Sequence, residues 1–271
     1  MTKTRVFSGI AMAQDKIANL REQLDGRTAQ CHVVRDPASA PAVAYSRRLV
    51  DLGAQAGIRV VEAGYDEVQA LRTDVAQAPV IFLHPAPPVI DVPALITALG
   101  PGRDAEALHP VNLGKLLLGV QRIVPPTAQA ALLVAEHLLG PLEGKCVAVV
   151  GASERVGLPV TILLIQRGAT VRIAHKRTRN LAAETCDAEL VISAAGVPGL
   201  ISGHHIAAGA HVIDIGLTPV EGKLVGDVDL AAVEGKVGVT THVPDGVGPL
   251  TAACLLENIA VLILHDQVDE S

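Results

Sequence analysis

Tryptophan is absent from the chain, and Phe7, Tyr45, Tyr65 and Phe82 are its only other large aromatic residues. Since 49% of the 271 residues are apolar, the core must be aliphatic, built from alanine, valine, leucine and isoleucine. A basic excess is also lacking. The formal charge of −6 offers nothing to neutralise a phosphate backbone, which argues against a nucleic-acid partner. No apolar run approaches the roughly 18 residues of a membrane span. Residues 1–17 lack the long apolar centre of a signal peptide and lead into an amphipathic helix. Cysteine is sparse: Cys31, Cys146, Cys186 and Cys254 are scattered, with no C-x-x-C pair. They read as reduced core thiols of a cytoplasmic protein, and no metal site is expected.

What is present is an alternation of short aliphatic runs and helical stretches. "CHVVRD" (31–36) reads as a buried strand, and Ser39 is placed to cap the helix through "AYSRRLVDLGAQAGI". "IRVVEAG" and "APVIFLHP" read as further strands, with "YDEVQALRTDV" helical between them. This order favours a parallel sheet covered by helices. "IVPPT" (123–127) marks a domain boundary, with Thr127 capping the next helix. A second series runs from "GKCVAVVG" through the helix "LPVTILLIQRG" to the strands "TVRIAH", "ELVISAAG" and "AHVIDIGL". The last apolar helix, 250–266, has no strand after it and is expected to cross back onto the first domain.

The most informative stretch is "VVGASERVGLPV" (149–160), where Gly151 ends a strand and Gly157 precedes a helix. Such a turn lets backbone N–H groups approach a pyrophosphate at a helix N-terminus. The spacing is irregular, because Ser153 occupies the place of the middle glycine in G-x-G-x-x-G. The next strand sharpens the reading. A NAD site carries an acidic residue at that strand's tip to accept from the ribose 2′-OH. Here the tip reads His175, Lys176, Arg177, Thr178, Arg179, which suits a 2′-phosphate and points to NADP. "SAAGVPG" (193–199) adds a second small-residue turn at the end of a strand, where Ala195 and Gly196 are candidate cofactor contacts.

Several blocks together resemble the bifunctional methylenetetrahydrofolate dehydrogenase/methenyltetrahydrofolate cyclohydrolases. They are "DPAS" (36–39), "LHPVNLGKLLLG" (108–119), "VVGASERVGLP" (149–159), "GATVRIAHKRT" (168–178), "ISAAGVPGLI", "VIDIGL", "LVGDVD" (224–229) and "VPDGVGPLTAACLLENI" (243–259). They occur in the family's order and cover most of the chain. The resemblance implies a two-domain α/β fold: an N-terminal α/β substrate domain, 1–126, completed by 249–271, and a Rossmann-type NADP-binding domain, 127–248. It also implies a homodimer formed through the nucleotide domain and a tetrahydrofolate derivative as substrate. By the same resemblance Gly151, Ala152, Ser153 and Gly157 lie under the cofactor phosphates. His175, Lys176 and Arg177 lie near the 2′-phosphate, and Leu217 touches the nicotinamide end. Pro244, Asp245, Gly246, Val247 and Gly248 form a loop beside the folate.

The substrate half departs from the family pattern. The family carries a Tyr-Val-x-x-Lys helix whose lysine is the acid/base group of the cyclohydrolase step. Counting back from "AGI" aligns Tyr45 with the tyrosine and Leu49 with the lysine. Counting forward from "DPAS" puts Ala42 and Ser46 there instead. Neither register supplies a lysine, and Arg47 and Arg48 cannot serve as bases at neutral pH. The family's glutamine position is Leu83, and its pterin-gripping aspartate is Glu106, which with Tyr45 makes up the expected catalytic and substrate contacts. Asp245 replaces a glycine, and His84 is a new polar group nearby in sequence. Hydride transfer needs stacked rings at reacting distance, whereas hydrolysis needs a group with a tunable pKa. The expected activity is therefore an NADP-dependent methylenetetrahydrofolate dehydrogenase with the cyclohydrolase weakened or lost. A repurposed paralogue acting on another small substrate, and a non-catalytic NADP-binding partner protein, remain alternatives.

Overall fold

β-branched aliphatic runs alternate with helices along the whole chain, and the computed structural model describes residues 4–27, 29–72 and 77–266. Tertiary contacts divide the chain into two units. The first comprises Ala13–Pro126 and the chain from Ala252 onward; the second comprises the chain up to Met12 and Thr127–Thr251. In chain order the elements begin with β1 (Arg5–Phe7), α1 (Ile10–Leu24), β2 (Ala29–Val34), α2 (Ala40–Ala56) and β3 (Ile58–Ala63). Then come α3 (Val68–Arg72), β4 (Val80–Phe82), α4 (Val92–Leu99), α5 (Pro110–Leu118) and α6 (Pro126–Leu139).

The first unit is built on a three-stranded parallel sheet ordered β3-β2-β4. Helix α2 starts where expected: the Ser39 hydroxyl accepts from Ala42 N at 3.3 Å, and Gly57 closes the helix in the left-handed region at φ 84°. Such caps satisfy backbone groups that the helix itself leaves open. The segment expected to be helical from Tyr65 is a 3₁₀ turn, Tyr65–Glu67, running into the short α3. Its remainder, at 73–75, lies outside the described residues. Val34, Val80 and Phe82 from the sheet pack with Val68, Val92 and Ile96 from the helices. Helix α6 begins at Pro126, so Thr127 lies inside the first turn instead of capping it. Proline is well placed there, because the first-turn N–H it lacks has no partner in a helix anyway.

The second unit continues with β5 (Cys146–Val150), α7 (Gly157–Gln166), β6 (Thr170–Ala174), α8 (Leu181–Thr185), β7 (Leu190–Ser193) and β8 (His211–Asp214). It closes with the hairpin β9 (Thr218–Val220) and β10 (Lys223–Val225), then α9 (Leu230–Val233), β11 (Val239–Thr241) and α10 (Gly248–Asp266). Its six-stranded sheet has the order β1-β11-β8-β7-β5-β6 with every pairing parallel. The chain leaves β5 for β6 on one side and returns to β7 on the other. The strand order therefore reverses between β5 and β7, and open parallel sheets bind ligands beyond the carboxyl ends of strands at such a point.

The chain start needs correction. Residues 1–126 were expected to group together, but β1 adds to the second unit's sheet through Arg5↔Val239 to Phe7↔Thr241. Parallel ladder bonds over those residues outweigh proximity in sequence. At the other end, α10 begins within the second unit and continues in the first. There Asn258 donates to Ala105 O at 2.9 Å and Val124 O at 2.8 Å, and Lys16 pairs with Glu257 at 2.6 Å.

Candidate functional site

In the second unit, the turn after β5 and the turn after β7 sit side by side. Ala194 N donates to Val150 O at 2.7 Å, and Gly151, at φ +113°, lies so close to Ala194 O that a side chain there would collide with it. Gly157 is equally constrained, since a Cβ would run into Gly151 O. Both glycines are thus required by close backbone approach. The Ser153 Oγ accepts from Val156 N at 3.3 Å, and its carbonyl accepts from Leu158 N at 2.9 Å, so Ser153 holds the turn from within. Among the described residues, no acceptor meets the N–H groups of Ala152 and Ser153. A helix N-terminus with open N–H groups is an anion seat.

The tip of β6 complements this seat. His175 folds the turn onto itself: its N–H donates to Thr178 Oγ1 at 2.9 Å, and its Nδ1 accepts from Arg177 N at 3.1 Å. Lys176, Arg177 and Arg179 are exposed, and among the described residues none of them is in an ion pair. His175 therefore shapes the loop, while the cations beside it remain available. These features fit a dinucleotide carrying a 2′-phosphate: open donors for the pyrophosphate, and cations without an acidic competitor at the ribose position.

The turn after β7 is organised differently, by two buried aspartates that sequence reasoning missed. Asp227 Oδ2 accepts from Ser193 Oγ at 2.8 Å, Ala195 N at 2.7 Å and Gly196 N at 3.2 Å, while Oδ1 accepts from Val197 N at 2.8 Å. Asp214 accepts from Gly216 N, Asp227 N and Val228 N, each at 3.0 Å. Burial pushes the Asp214 carboxyl up to about 6, opposed by the backbone N–H groups it accepts and reinforced by the charge of Asp227. Leu217 follows directly and is exposed. A signal was available in the sequence: each aspartate interrupts an apolar strand-like run, and a buried polar group must be hydrogen-bonded. The loop 244–248, expected beside the folate, also belongs to this unit. Asp245 O accepts from Gly9 N at 2.9 Å, and its carboxylate lies 3.9 Å from His242 Nε2. Pro244 and Gly248 are exposed, whereas Gly246 and Val247 are buried.

In the first unit, Tyr45 and Glu106 come together. Burial raises the Tyr45 phenol well above its usual range, and Glu106 adds to the rise while Arg48 opposes it. Glu106 Oε2 also accepts from Phe82 N at 3.2 Å. The two positions aligned with the missing lysine both turn inward. Leu49 is 0% exposed, so it is core and offers no ligand surface. Ser46 is 0% exposed and donates to Glu62 Oε1 at 2.6 Å. Glu62 also pairs with Arg35 at 2.8 Å, and these two bonds hold its carboxyl below the ordinary range. Leu83, 5% exposed, is likewise core, and its carbonyl accepts from Tyr65 Oη at 2.9 Å. Both leucines were expected to line the pocket; both lie in the aliphatic interior instead, Leu49 on the buried face of α2 and Leu83 directly after the fully buried strand β4. His84 is exposed. Among the described residues, no group of three His, Cys, Asp or Glu side chains could hold a metal, and no helix is long and apolar enough to cross a membrane.

A parallel sheet with a glycine turn at its reversal point, open donors and a basic strand tip defines the class: a Rossmann-type dinucleotide-binding α/β protein. Residues 125–267 match the family described as "Tetrahydrofolate dehydrogenase/cyclohydrolase, NAD(P)-binding domain", and the chain belongs to that family. It is 42% identical to Bifunctional protein FolD 1 of Rhodococcus jostii over 217 residues, covering 78% of this chain and 70% of the relative. Bifunctional protein FolD of Paramagnetospirillum magneticum is 36% identical over 286 residues, 96% of each chain. Among solved structures, the N5,N10-methylenetetrahydrofolate dehydrogenase-cyclohydrolase of Trypanosoma brucei, complexed with NADP cofactor and inhibitor, has a TM-score of 0.90. It is 31% identical, with 98% of this chain and 99% of that chain covered.

Proposed function

We propose that the protein is an NADP-dependent 5,10-methylenetetrahydrofolate dehydrogenase of one-carbon metabolism whose cyclohydrolase activity is weak or lost. The observation that carries the cofactor assignment is the combination, among the described residues, of open N–H donors at Ala152 and Ser153 with exposed cations outside any ion pair at Lys176, Arg177 and Arg179. The NADP complex of the Trypanosoma brucei relative supports the same choice. When bound, the dinucleotide supplies the hydride acceptor. Ala152 and Ser153 hold its pyrophosphate, with Gly151 and Gly157 permitting the approach. Lys176 and Arg177 hold the 2′-phosphate, on a loop that His175 shapes. Ala195, Gly196 and Leu217 face the nicotinamide end. In the first unit, Tyr45 offers an aromatic face and Glu106 an acceptor to the pterin. Hydride leaves the methylene carbon without a proton transfer there, so binding and orientation are the work required. Hydrolysis of the methenyl product needs a proton-transfer group, and the inward-facing Leu49 and Ser46 supply none.

The same unit supports a homodimer. Strand β6 is an edge of the sheet, and Ile173 on it is exposed, as are Leu158 and Ile165 on α7. An unpaired edge beside apolar side chains is a template for pairing with a second copy. Sedimentation of the protein and of Ile173→Asp tests this, with a monomer expected only for the variant. The activity is tested by titrating 5,10-methylenetetrahydrofolate with NADP while recording reduced-nicotinamide absorbance. Tight NADP binding without turnover of any folate would reject the dehydrogenase.

A further inference from the structure

The two adjoining turns of the second unit differ in what their backbone donors do. At Ala152 and Ser153 the N–H groups meet no acceptor among the described residues. At Ala195, Gly196 and Val197 all the N–H groups are spent on Asp227, which also takes the Ser193 hydroxyl. Four donors and no acceptor meet this carboxylate, so its oxygens do acceptor work alone. Behind it, Asp214 accepts from the N–H groups of Asp227, Val228 and Gly216. Gly216 packs directly on the Asp227 carboxylate and Gly226 on that of Asp214, with no room for a side chain at either. The first turn is therefore an anion seat, and the second is a closed frame over buried negative charge. A phosphate has no donor to bind at the second turn and is repelled by what lies beneath it.

An oxidised nicotinamide ring carries a positive charge that the reduced ring lacks. Buried charge acts on it strongly, because little water lies between to screen it. Building on the dinucleotide reading above, we propose that Asp227 is a positioning residue that aims the second turn at the nicotinamide end and makes the site prefer oxidised over reduced cofactor. It acts through the peptide groups of Ala195–Val197 and through its charge, without touching the cofactor. By linkage, this preference makes the bound nicotinamide a weaker hydride acceptor and leaves the overall equilibrium of the reaction unchanged.

Dissociation constants for NADP⁺ and NADPH, measured by calorimetry on the unaltered protein and on Asp227→Asn, test the proposal. Asparagine keeps the shape and removes the charge; with its amide nitrogen turned toward Val197 N it gives up that one bond and keeps an oxygen for the other three donors, so NADP⁺ should weaken by about tenfold relative to NADPH. Adenosine 2′,5′-bisphosphate, which lacks the nicotinamide, should bind both proteins equally and so report an intact fold. A proportionate loss for both cofactor forms means a merely structural role and overturns the proposal, as does no change in either. If Asp227→Asn does not retain bisphosphate binding, Ser193→Ala decides. It removes one neutralising donor and leaves the charge, so NADP⁺ should gain about twofold over NADPH; no gain overturns the proposal. Failure of the unaltered protein to bind either form would reject the dinucleotide reading itself, and this inference with it.

Discussion

The candidate contacts of the second unit are made mostly by backbone, and those of the first by side chains. Ala152 and Ser153 present N–H groups because β5 ends at Val150 and Gly157 opens α7; any small residue that keeps the turn would do the same. In the first unit, Tyr45 on α2 and Glu106 beyond β4 must each be the right residue in the right place. Backbone donors survive sequence divergence as long as the turn persists. A titratable side chain is lost in a single substitution. On the proposed reading, the dinucleotide contacts are therefore robust to substitution and the proton-transfer chemistry fragile.

The strongest test of that contrast is hydrolysis itself. With no proton-transfer group at Leu49 or Ser46, methenyltetrahydrofolate should hydrolyse at close to its buffer rate, forgoing about 10²–10⁴-fold of general acid–base help. Decay of methenyl absorbance with and without protein measures this, and a clear enzymatic rate would break the comparison. Leu49→Lys is a poor rescue because it buries an ammonium in the core. Arg48, exposed beside Tyr45, is the better site, and Arg48→Lys should recover part of the rate.

The backbone frame of the second unit has its own dependence on charge. The Asp214 carboxyl titrates at about 6 in the folded protein against 3.8 ordinarily. The folded state thus holds its proton more tightly than the unfolded chain. The contribution of neutral Asp214 to stability is complete below about pH 4 and is lost as pH rises through about 6, on the order of 3 kcal/mol. Urea midpoints from pH 4 to 7 should show this fall, and Asp214→Asn should flatten it. Equal slopes for the two proteins would remove Asp214 from the account.

Cofactor choice should follow the tip of β6. Replacing Lys176 and Arg177 together with alanine should weaken NADP on the order of a hundredfold, since charge-assisted bonds are worth about 1.5–3 kcal/mol each. NAD affinity should hardly move. Equal losses for both dinucleotides in calorimetry would place the 2′-phosphate elsewhere.

The smallest effect concerns Glu106. Glu106→Ala should weaken folate binding by about tenfold, but it also strips Phe82 N of its acceptor, an unpaired group costing about 1–3 kcal/mol. Glu106→Gln keeps an acceptor for Phe82 N, so a loss shared by both variants belongs to the ligand. Unchanged folate affinity in both, by fluorescence titration, would show that the pterin is held elsewhere.

Local chemistry explains what was readable in advance. Ser39, Gly57 and the aliphatic runs of β2, β5 and β7 act within a few residues of themselves, so the strands, helices and α2 caps follow from the chain. The glycine turn and basic strand tip were readable for the same reason. The Asp214–Asp227 pair was not, because apart from Gly216 its partners lie 13–34 residues away along the chain. Nor was the burial of Leu49 and Leu83, which depends on which face of an element meets the sheet.

By itself the sequence determined the principal strands and helices in their order, the aliphatic core, the glycine turn after β5 with the cations after β6, and the lack of a lysine on α2. These depend on residue type and short-range spacing, which do not change when the chain folds. Only the tertiary structure decided that β1 joins the second unit's sheet, that Leu49 and Ser46 face inward, and that the donors of the second turn are consumed by Asp227. Each of those outcomes depends on groups far apart in the chain competing for one buried partner. That competition is resolved only once the sheet has assembled and excluded water.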